Sequence, residues 1–147
     1  MTAPGLVLMR GFSARRDFPT QWYKFLNPAN PTDAQQLVMD ITQRFPFFTN
    51  GLTIKISQVL LFADIPSGNS GSGALSNLYI SGRKLSNVLL NFGPDPEFGT
   101  MLYSVTPCKD SPGIWKITNG TGQGTTPPSI TGNDINDISV IFIYSLT

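Results

Sequence analysis

The chain has 147 residues, a net charge of +1 and only 13% charged residues, together with 14 glycines and 12 prolines. This length is typical of one domain, residues 1–147, that can bury a full core, and the composition favours a turn-rich all-β protein or a surface that meets a partner. The near-zero net charge gives no support for nucleic-acid binding. The absence of histidine excludes catalysis by imidazole and His-ligated zinc. The single cysteine, Cys108, cannot form an intrachain disulfide.

The apolar runs of the chain are short. None approaches the about 20 residues of a membrane-spanning helix. The apolar run within the first ten residues is too short for a signal peptide, and no basic residue precedes it. We therefore expect a non-enzymatic domain that does not itself insert into a membrane and that needs neither a cofactor nor a metal.

The N-terminal part predicts a first strand and then a helix. Residues 1–12 hold the first strand, over 5–12, or a residual linker, and residues 13–17 form a polar link. Residues 17–28 predict one short helix, because apolar side chains recur there at the spacing of one helix face. Pro19 suits its first turn, Asp17 is a candidate N-cap, and Asn27-Pro28 ends it.

The remaining periodic segments predict strands. In residues 52–63, Leu52, Ile54 and Ile56 alternate with polar residues, and residues 59–62 are apolar on both faces. This change predicts a strand that passes from a sheet edge into the core. The other predicted strands are 35–42, 75–80, 85–92, 101–105, 113–118 and 138–146. Together they predict an all-β fold, a jelly-roll-like antiparallel β-sandwich with one short helix near the N-terminus.

Three turn-rich loops separate these strands. Residues 64–73 are rich in glycine and serine and predict the most mobile loop of the chain. Residues 91–100 contain two carboxylates and two aromatic rings, and residues 119–137 are rich in glycine, threonine, proline and asparagine.

Motifs that resemble catalytic sites have simpler interpretations. Ser81 and Lys84 have the spacing of a Ser-Lys nucleophile pair, but they lie between two predicted strands, which favours a turn. Asp95 and Glu97 flank a proline in a loop with nothing apolar arranged to raise a carboxyl pKa. Cys108 follows a proline and is interpreted as an inert or partly buried thiol.

Binding motifs are equally weak. The glycines of residues 120–124 are followed by prolines and not by a helix, so a phosphate cradle is disfavoured. Asp134, Asn136 and Asp137 lack the spacing of a calcium loop and favour a turn or a strand cap. Asn119 begins a glycosylation sequon, which matters only on a eukaryotic secretory route.

Two blocks of the sequence nevertheless form a distinctive pattern. They are D-F-P-T-Q-W-Y-K-F-L-N-P at 17–28 and R-F-P-F-F-T-N-G-L-T-I-K-I-S-Q-V-L-L-F-A at 44–63. In this order they resemble the C-terminal domain of the A subunit of insecticidal toxin complexes (Tc toxins). The matching positions are Phe18-Pro19, Trp22, Phe25-Leu26, Pro28, Arg44 to Phe47, Thr53-Ile54, Ile56, Pro112 to Ile117 and the closing residues 134–145.

The resemblance implies a docking role in a secreted, extracellular toxin component. In that family the A subunit is a homopentameric translocation channel, and this domain binds the β-propeller of the B subunit. The expected partners are therefore that propeller and, in a full-length A subunit, the other copies in the pentamer. The domain itself is not expected to form a pore.

For the docking surface we predict residues that a small core has no reason to hold. Arginine and aromatic residues are enriched at protein interfaces. The candidates are Arg15, Arg16, Phe92, Asp95, Glu97 and Phe98.

Most other rings are expected in the core. They are Trp22, Tyr23, Phe45, Phe47, Phe48 and Trp115. The alternative function is a carbohydrate-binding jelly-roll module, which requires a ring exposed beside asparagine, aspartate or glutamine.

Overall fold

The computed structural model describes residues 7–30, 33–45, 51–66, 75–94, 97, 99–120 and 128–146. Within these ranges, two antiparallel sheets and two short helices surround one hydrophobic core. The first sheet has the order β1 (Leu8–Ser13), β9 (Asp137–Leu146), β3 (Ile54–Asp64), β7 (Met101–Asp110) and β6 (Gly93–Pro94). The second sheet has the order β2 (Gln36–Asp40), β8 (Ile114–Asn119), β4 (Leu78–Ser81) and β5 (Val88–Leu89). The helices are α1 (Ala14–Asp17) and α2 (Pro19–Leu26).

The strand order is that of a jelly roll. The chain alternates between the sheets from β1 to β4 and again from β7 to β9, whereas β4 and β5 are neighbours in the second sheet and β6 and β7 are neighbours in the first. The last strand, β9, then returns to lie between β1 and β3. Its ladder with β3 runs from Ile54 opposite Leu146 to Asp64 opposite Asp137. The predicted fold class, an antiparallel β-sandwich, is confirmed.

The helical segment differs from the single helix predicted for residues 17–28. Phe18 interrupts it with φ −132° and ψ 58°, which separates α1 from α2. Pro19 occupies the first turn of α2, where its missing N–H costs nothing. Asp17 does not cap α2, because its carboxylate accepts from the Ser13 N–H at 2.7 Å, one turn earlier. The polar link predicted over residues 13–17 is therefore a strand end followed by a helical turn.

The strand predicted over residues 85–92 is reduced to the two residues of β5. At the start of this segment Asp110, whose carboxylate is buried, accepts from the backbone N–H groups of Lys84 at 3.0 Å and Leu85 at 2.9 Å. Because these N–H groups are bonded to a side chain, they cannot extend a ladder. The segment before β5 is therefore a loop held by one carboxylate, with a turn closed by the Gly82 N–H on the Leu85 carbonyl.

Strand β7 is twice as long as the predicted strand 101–105 and continues to Asp110. It pairs with β3 on one side over most of its length, whereas β6 pairs with Leu102 and Tyr103 alone on the other side. The second half of β7 is therefore an edge of the sheet. A proline is tolerated at a sheet edge, which explains how Pro107 lies within the strand.

Strand β3 does not pass from an edge into the core. It is paired with β9 on one side and β7 on the other, so it is an interior strand. Val59 and Leu61 are buried against the second sheet, while Leu60 and Phe62 point to the opposite side and are partly exposed. The prediction that both faces of residues 59–62 enter the core is wrong, because the second sheet covers only one face.

The other predicted strands agree with the structure apart from their ends. Strand β1 begins at Leu8, and residues 1–6 lie outside the described ranges. Strand β4 begins at Leu78, since Leu75 lies in a turn, where it is nevertheless buried. Of the loop predicted to be the most mobile, residues 64–73, residues 67–73 are not described, but Ile65 is buried.

Aromatic contacts connect the two sheets and the helices through the core. Phe142 of β9 lies edge-on to Trp115 of β8, with ring centroids 5.1 Å apart. Phe142 also meets Phe12 of β1 at 5.9 Å, and Phe12 meets Phe18 at 5.8 Å. This chain of rings crosses from the second sheet through the first sheet to the helical segment. Edge-to-face geometry adds to the free energy gained by burying the rings.

A buried amide closes the end of the sandwich near α2. The Gln35 side chain donates to the carbonyl groups of Phe25 at 3.1 Å and Ile130 at 2.7 Å. It accepts from the Ile130 N–H at 2.7 Å and from the Asn119 side-chain amide at 3.0 Å. Its four hydrogen bonds join the end of α2, the end of β8 and the segment before β9. We call this group the Gln35 cluster.

Replacing Gln35 should reveal how much the cluster stabilises the fold. Gln35→Met keeps the volume but leaves buried amide and carbonyl groups without partners, so the free energy of unfolding should fall by about 2–4 kcal/mol. Urea denaturation followed by tryptophan fluorescence measures this change. The matched control is Gln36→Met at the exposed neighbouring position, which should change the unfolding free energy by less than about 1 kcal/mol. Equal losses in both variants would contradict the role of the cluster.

Candidate docking site

In the structure, the predicted arginine pair lies on a helical turn at the protein surface. Residues 13–17 form the arginine turn, in which the Ser13 N–H donates to Asp17 and the Arg16 N–H donates to the Ser13 hydroxyl at 3.3 Å. This reciprocal arrangement satisfies backbone groups at the start of a helix. Asp137, the first residue of β9, accepts from the Arg15 N–H at 2.9 Å and from the Ser13 hydroxyl. The backbone beneath both arginines is therefore fixed to the sheet.

The side chains of the turn point to solvent. Arg15 and Arg16 are exposed, and within the described residues neither guanidinium has a hydrogen-bond or ion-pair partner. Two other arginines are occupied instead: Arg10 lies 4.4 Å from the Phe12 ring centroid, and Arg44 lies 4.7 Å from that of Phe18. Positive charge on a fixed backbone and without an internal partner is suited to binding an acidic surface.

The second predicted group lies elsewhere. Phe92 is half-buried and packs against the core just before β6, and Glu97 is exposed. Asp95 and Phe98 lie outside the described residues. Since β1 and β6 are the opposite edges of one sheet, the structure does not bring Phe92 together with the arginine turn.

An open groove of about 550 Å³ lies on the second sheet. Asp40 is the carboxylate in its lining, and the Thr42 hydroxyl, with the Thr42 N–H, holds the pKa of Asp40 below its ordinary value. Arg83 and Lys116 add positive charge, and the Arg83 stem rests on Gly113, where a side chain would collide with it. A carboxylate held in its ionised form is a poor general acid. The groove therefore offers charge but no acid–base pair.

Several motifs with catalytic or binding spacing have structural roles among the described residues, whereas residues 121–124 of the glycine motif lie outside them. Ser81 ends β4, and Lys84 follows in the loop held by Asp110, so no helix brings these two side chains together. Asp134 accepts from the N–H and hydroxyl of Thr131 within a turn. Asp137 caps the arginine turn, as described above. Among the described residues, no three histidine, cysteine, aspartate or glutamate side chains are grouped as metal ligands.

The glycosylation sequon is closed in the folded protein. Asn119 is 3% exposed, and its side-chain amide donates to Gln35 and to the Pro128 carbonyl at 3.0 Å. A sugar on this nitrogen leaves it one hydrogen, so at least one of these two hydrogen bonds would be lost.

The aromatic predictions divide between core and surface. Trp22 and Trp115 are buried as expected, and Phe45 is half-buried against Tyr144, with ring centroids 4.9 Å apart. Phe47 and Phe48 lie outside the described residues. Tyr23 is 67% exposed, so the prediction that it is a core ring is wrong. It lies on the solvent side of α2, opposite the face that buries Trp22 and Phe25.

One surface was missed by the sequence predictions. The side of the first sheet that faces away from the second sheet carries a row of apolar side chains on every long strand. The signal was present in β3 and β9, whose residues are apolar at both alternating positions. For residues 59–62 this pattern predicts burial on both sides, whereas the structure covers one side only.

Comparisons with known proteins leave the resemblance to the toxin domain untested. No protein-family model matches the chain, and neither curated proteins nor solved structures give a significant match. In the part of the chain that is described, neither helix has the length and apolar character needed to cross a membrane.

The thiol of Cys108 is predicted to react slowly. Burial, reinforced by the negative charge of Asp110, raises the pKa of this thiol to about 11, and the thiol lies 3.5 Å from the Ile56 carbonyl. Relative to the ordinary value of 9.0, the thiolate fraction at pH 8 falls roughly 100-fold, so reaction with an aromatic disulfide reagent should be slowed by a similar factor.

The raised thiol pKa also fixes the direction in which the stability of the fold changes with pH. A raised thiol pKa stabilises the fold below pH 9, and this contribution is lost as the pH rises towards 11. The urea-unfolded chain is the control and should react at the normal rate. Equal rates for folded and unfolded protein would contradict the assignment.

Proposed function

We propose that the domain is a non-catalytic protein–protein docking module that binds the β-propeller of a toxin B subunit, as a secreted component of a Tc-type complex. The observation that carries this proposal is the arginine turn. Arg15 and Arg16 are exposed and unpaired within the described residues, while four hydrogen bonds to Ser13, Asp17 and Asp137 hold the backbone beneath them. The sequence resemblance supplies the identity of the partner.

A fixed backbone favours binding for a physical reason. Ordering a loop on association costs free energy, and a turn that is already ordered avoids that cost. The guanidinium groups can then donate in pairs to carboxylates of the partner. We expect an acidic patch on the propeller opposite the arginine turn, and an affinity that falls as the salt concentration rises.

The binding experiment is a calorimetric titration of the domain against the isolated β-propeller of a cognate B subunit. Arg15→Ala combined with Arg16→Ala should weaken binding by about 10- to 100-fold, which corresponds to about 1.4–2.8 kcal/mol. The matched control is Arg83→Ala combined with Lys84→Ala, which removes an adjacent exposed basic pair beside the second sheet. That control should bind the propeller as the unaltered domain does.

Each outcome of the titration has a distinct meaning. No binding of the unaltered domain would overturn the docking proposal. Binding that is equally strong in both double variants would retain a docking function but remove the arginine turn from its interface. Equal weakening in both variants would indicate a general effect of net charge.

A carbohydrate-binding module is the second candidate, and the exposure of Tyr23 favours it. Asn27 lies one turn further along, and its side-chain amide donates to the Tyr23 carbonyl at 3.1 Å. An exposed ring beside an amide suits the stacking of a sugar. The groove on the second sheet is less suitable, because its lining among the described residues contains no aromatic ring. A glycan array that gives a signal abolished by Tyr23→Ala, without propeller binding, would favour this candidate.

A further inference from the structure

The outer face of the first sheet is apolar over four neighbouring strands. We define this outer face by the side chains directed away from the second sheet. Alternation along the strands assigns to it Met9, Leu60, Phe62, Tyr103, Val105, Ile141 and Ile143. Met9 is 69% exposed, and Val105 and Tyr103 are 39% and 36% exposed. No other described element covers this side of the sheet.

The register places the apolar side chains in rows across the strands. Gly11, Ile141, Leu60 and Val105 stand opposite one another on successive strands and form the central row. The next row contains Phe62 and Tyr103, whose ring centroids are 4.9 Å apart. Large apolar patches of this kind are typical of interaction sites.

Along β3, the charges at the two ends of the outer face have opposite signs. At one end, Asp64 of β3 stands opposite Asp137 of β9. At the other end, Lys55 of β3 is exposed and stands opposite Ser145. On the outer side of β3, the residues between Lys55 and Asp64 carry no charge. The central row lies about midway between the two ends.

This distribution is complementary to itself. If a second copy is turned over about a two-fold axis that runs across the strands along the central row, β3 of each copy faces β3 of the other in the opposite direction. Lys55 of each copy then meets Asp64 of the other, and the apolar rows stack between them. A two-fold axis parallel to the strands would instead place like charges together, which costs free energy.

We propose that the outer face is a homodimer interface, in which two copies of this domain pack their first sheets together with antiparallel β3 strands. Two sheets packed in this way lie about 10 Å apart, and their strands cross at about 30°. The partner is a second copy, because in the reversed orientation Lys55 of each copy lies opposite Asp64 of the other.

The size of the face fits this partner. The strands β3, β7 and β9 have 11, 10 and 10 residues. With strands about 4.8 Å apart and a rise of about 3.4 Å per residue, these three strands and the six-residue β1 cover roughly 600 Å² before side-chain relief is counted. A stable interface buries about 800 Å² on each partner, so the flat area of the face is about three-quarters of that value, which fits a dimer of modest affinity.

One edge of the sheet is less suitable for self-association. The free edge of β7 contains Pro107, which cannot donate a hydrogen bond to an added strand. Dimerisation through the face needs no backbone pairing. It also leaves the arginine turn outside the interface, because the turn follows the end of β1.

Charge exchange provides a direct test of the antiparallel arrangement. Analytical ultracentrifugation of the unaltered domain, from about 1 µM to about 1 mM, should show a reversible monomer–dimer equilibrium. Lys55→Glu and Asp64→Lys should each weaken dimerisation at least tenfold, because each places like charges opposite one another at both ends. An equimolar mixture of the two variants should form a heterodimer, since every charged pair is then matched.

Two further variants test the face itself. Val105→Glu places a charge in the central row and should abolish the dimer. Its matched control is Ile114→Glu, at an exposed β-branched position of the second sheet, which should leave the dimer unchanged. Circular dichroism verifies that each variant is folded.

The outcomes either support or overturn the proposal. A monomer across the whole concentration series overturns it, as does a dimer that Val105→Glu leaves intact. A mixture of the two charge variants that stays monomeric overturns the antiparallel arrangement. Because the experiment contains no propeller, its result is independent of the proposed docking function.

Discussion

The arrangement of this sandwich depends on one buried amide. Gln35 satisfies two backbone carbonyl groups, one backbone N–H and the Asn119 side chain, all within the protein interior. A buried polar group that lacks a partner costs more free energy than a hydrogen bond contributes, so such a cluster favours one arrangement of the chain over near alternatives. It joins the end of α2 to the end of β8 and to Ile130, seven residues before β9 begins.

The candidate docking surface depends on the start of β9. β9 begins with Asp137, and the carboxylate of Asp137 anchors the arginine turn. The same strand supplies Ile141 and Ile143 to the outer face of the first sheet. The arginine turn and the outer face of the first sheet are therefore connected through β9. No residue of the Gln35 cluster lies in either surface.

The fold class could be predicted from the sequence because strand periodicity and turn residues are local signals. Alternation in residues 138–146 and the proline in the first turn of α2 are both read from neighbouring positions. The features that could not be predicted depend on residues that are distant in the sequence. The Asp110 carboxylate holds the loop before β5 by accepting from N–H groups that lie about 25 residues earlier in the chain. The exposure of Leu60 and Phe62 depends on which side the second sheet covers, and no local pattern specifies that. The arginine pair was identified from residue type, but its anchoring to Asp137 joins opposite ends of the chain.

The burial of Asn119 has a consequence for how the protein can be made. Oligosaccharides are added to sequons while the chain is still unfolded, before the hydrogen bonds that enclose this side chain exist. A eukaryotic secretory host would therefore modify Asn119 at a stage when nothing protects it, and the modified nitrogen could no longer donate to both Gln35 and Pro128. The native arrangement is thus compatible with synthesis in a compartment without oligosaccharide transfer. If the sugar is added before folding, Asn119 cannot form both of its native hydrogen bonds.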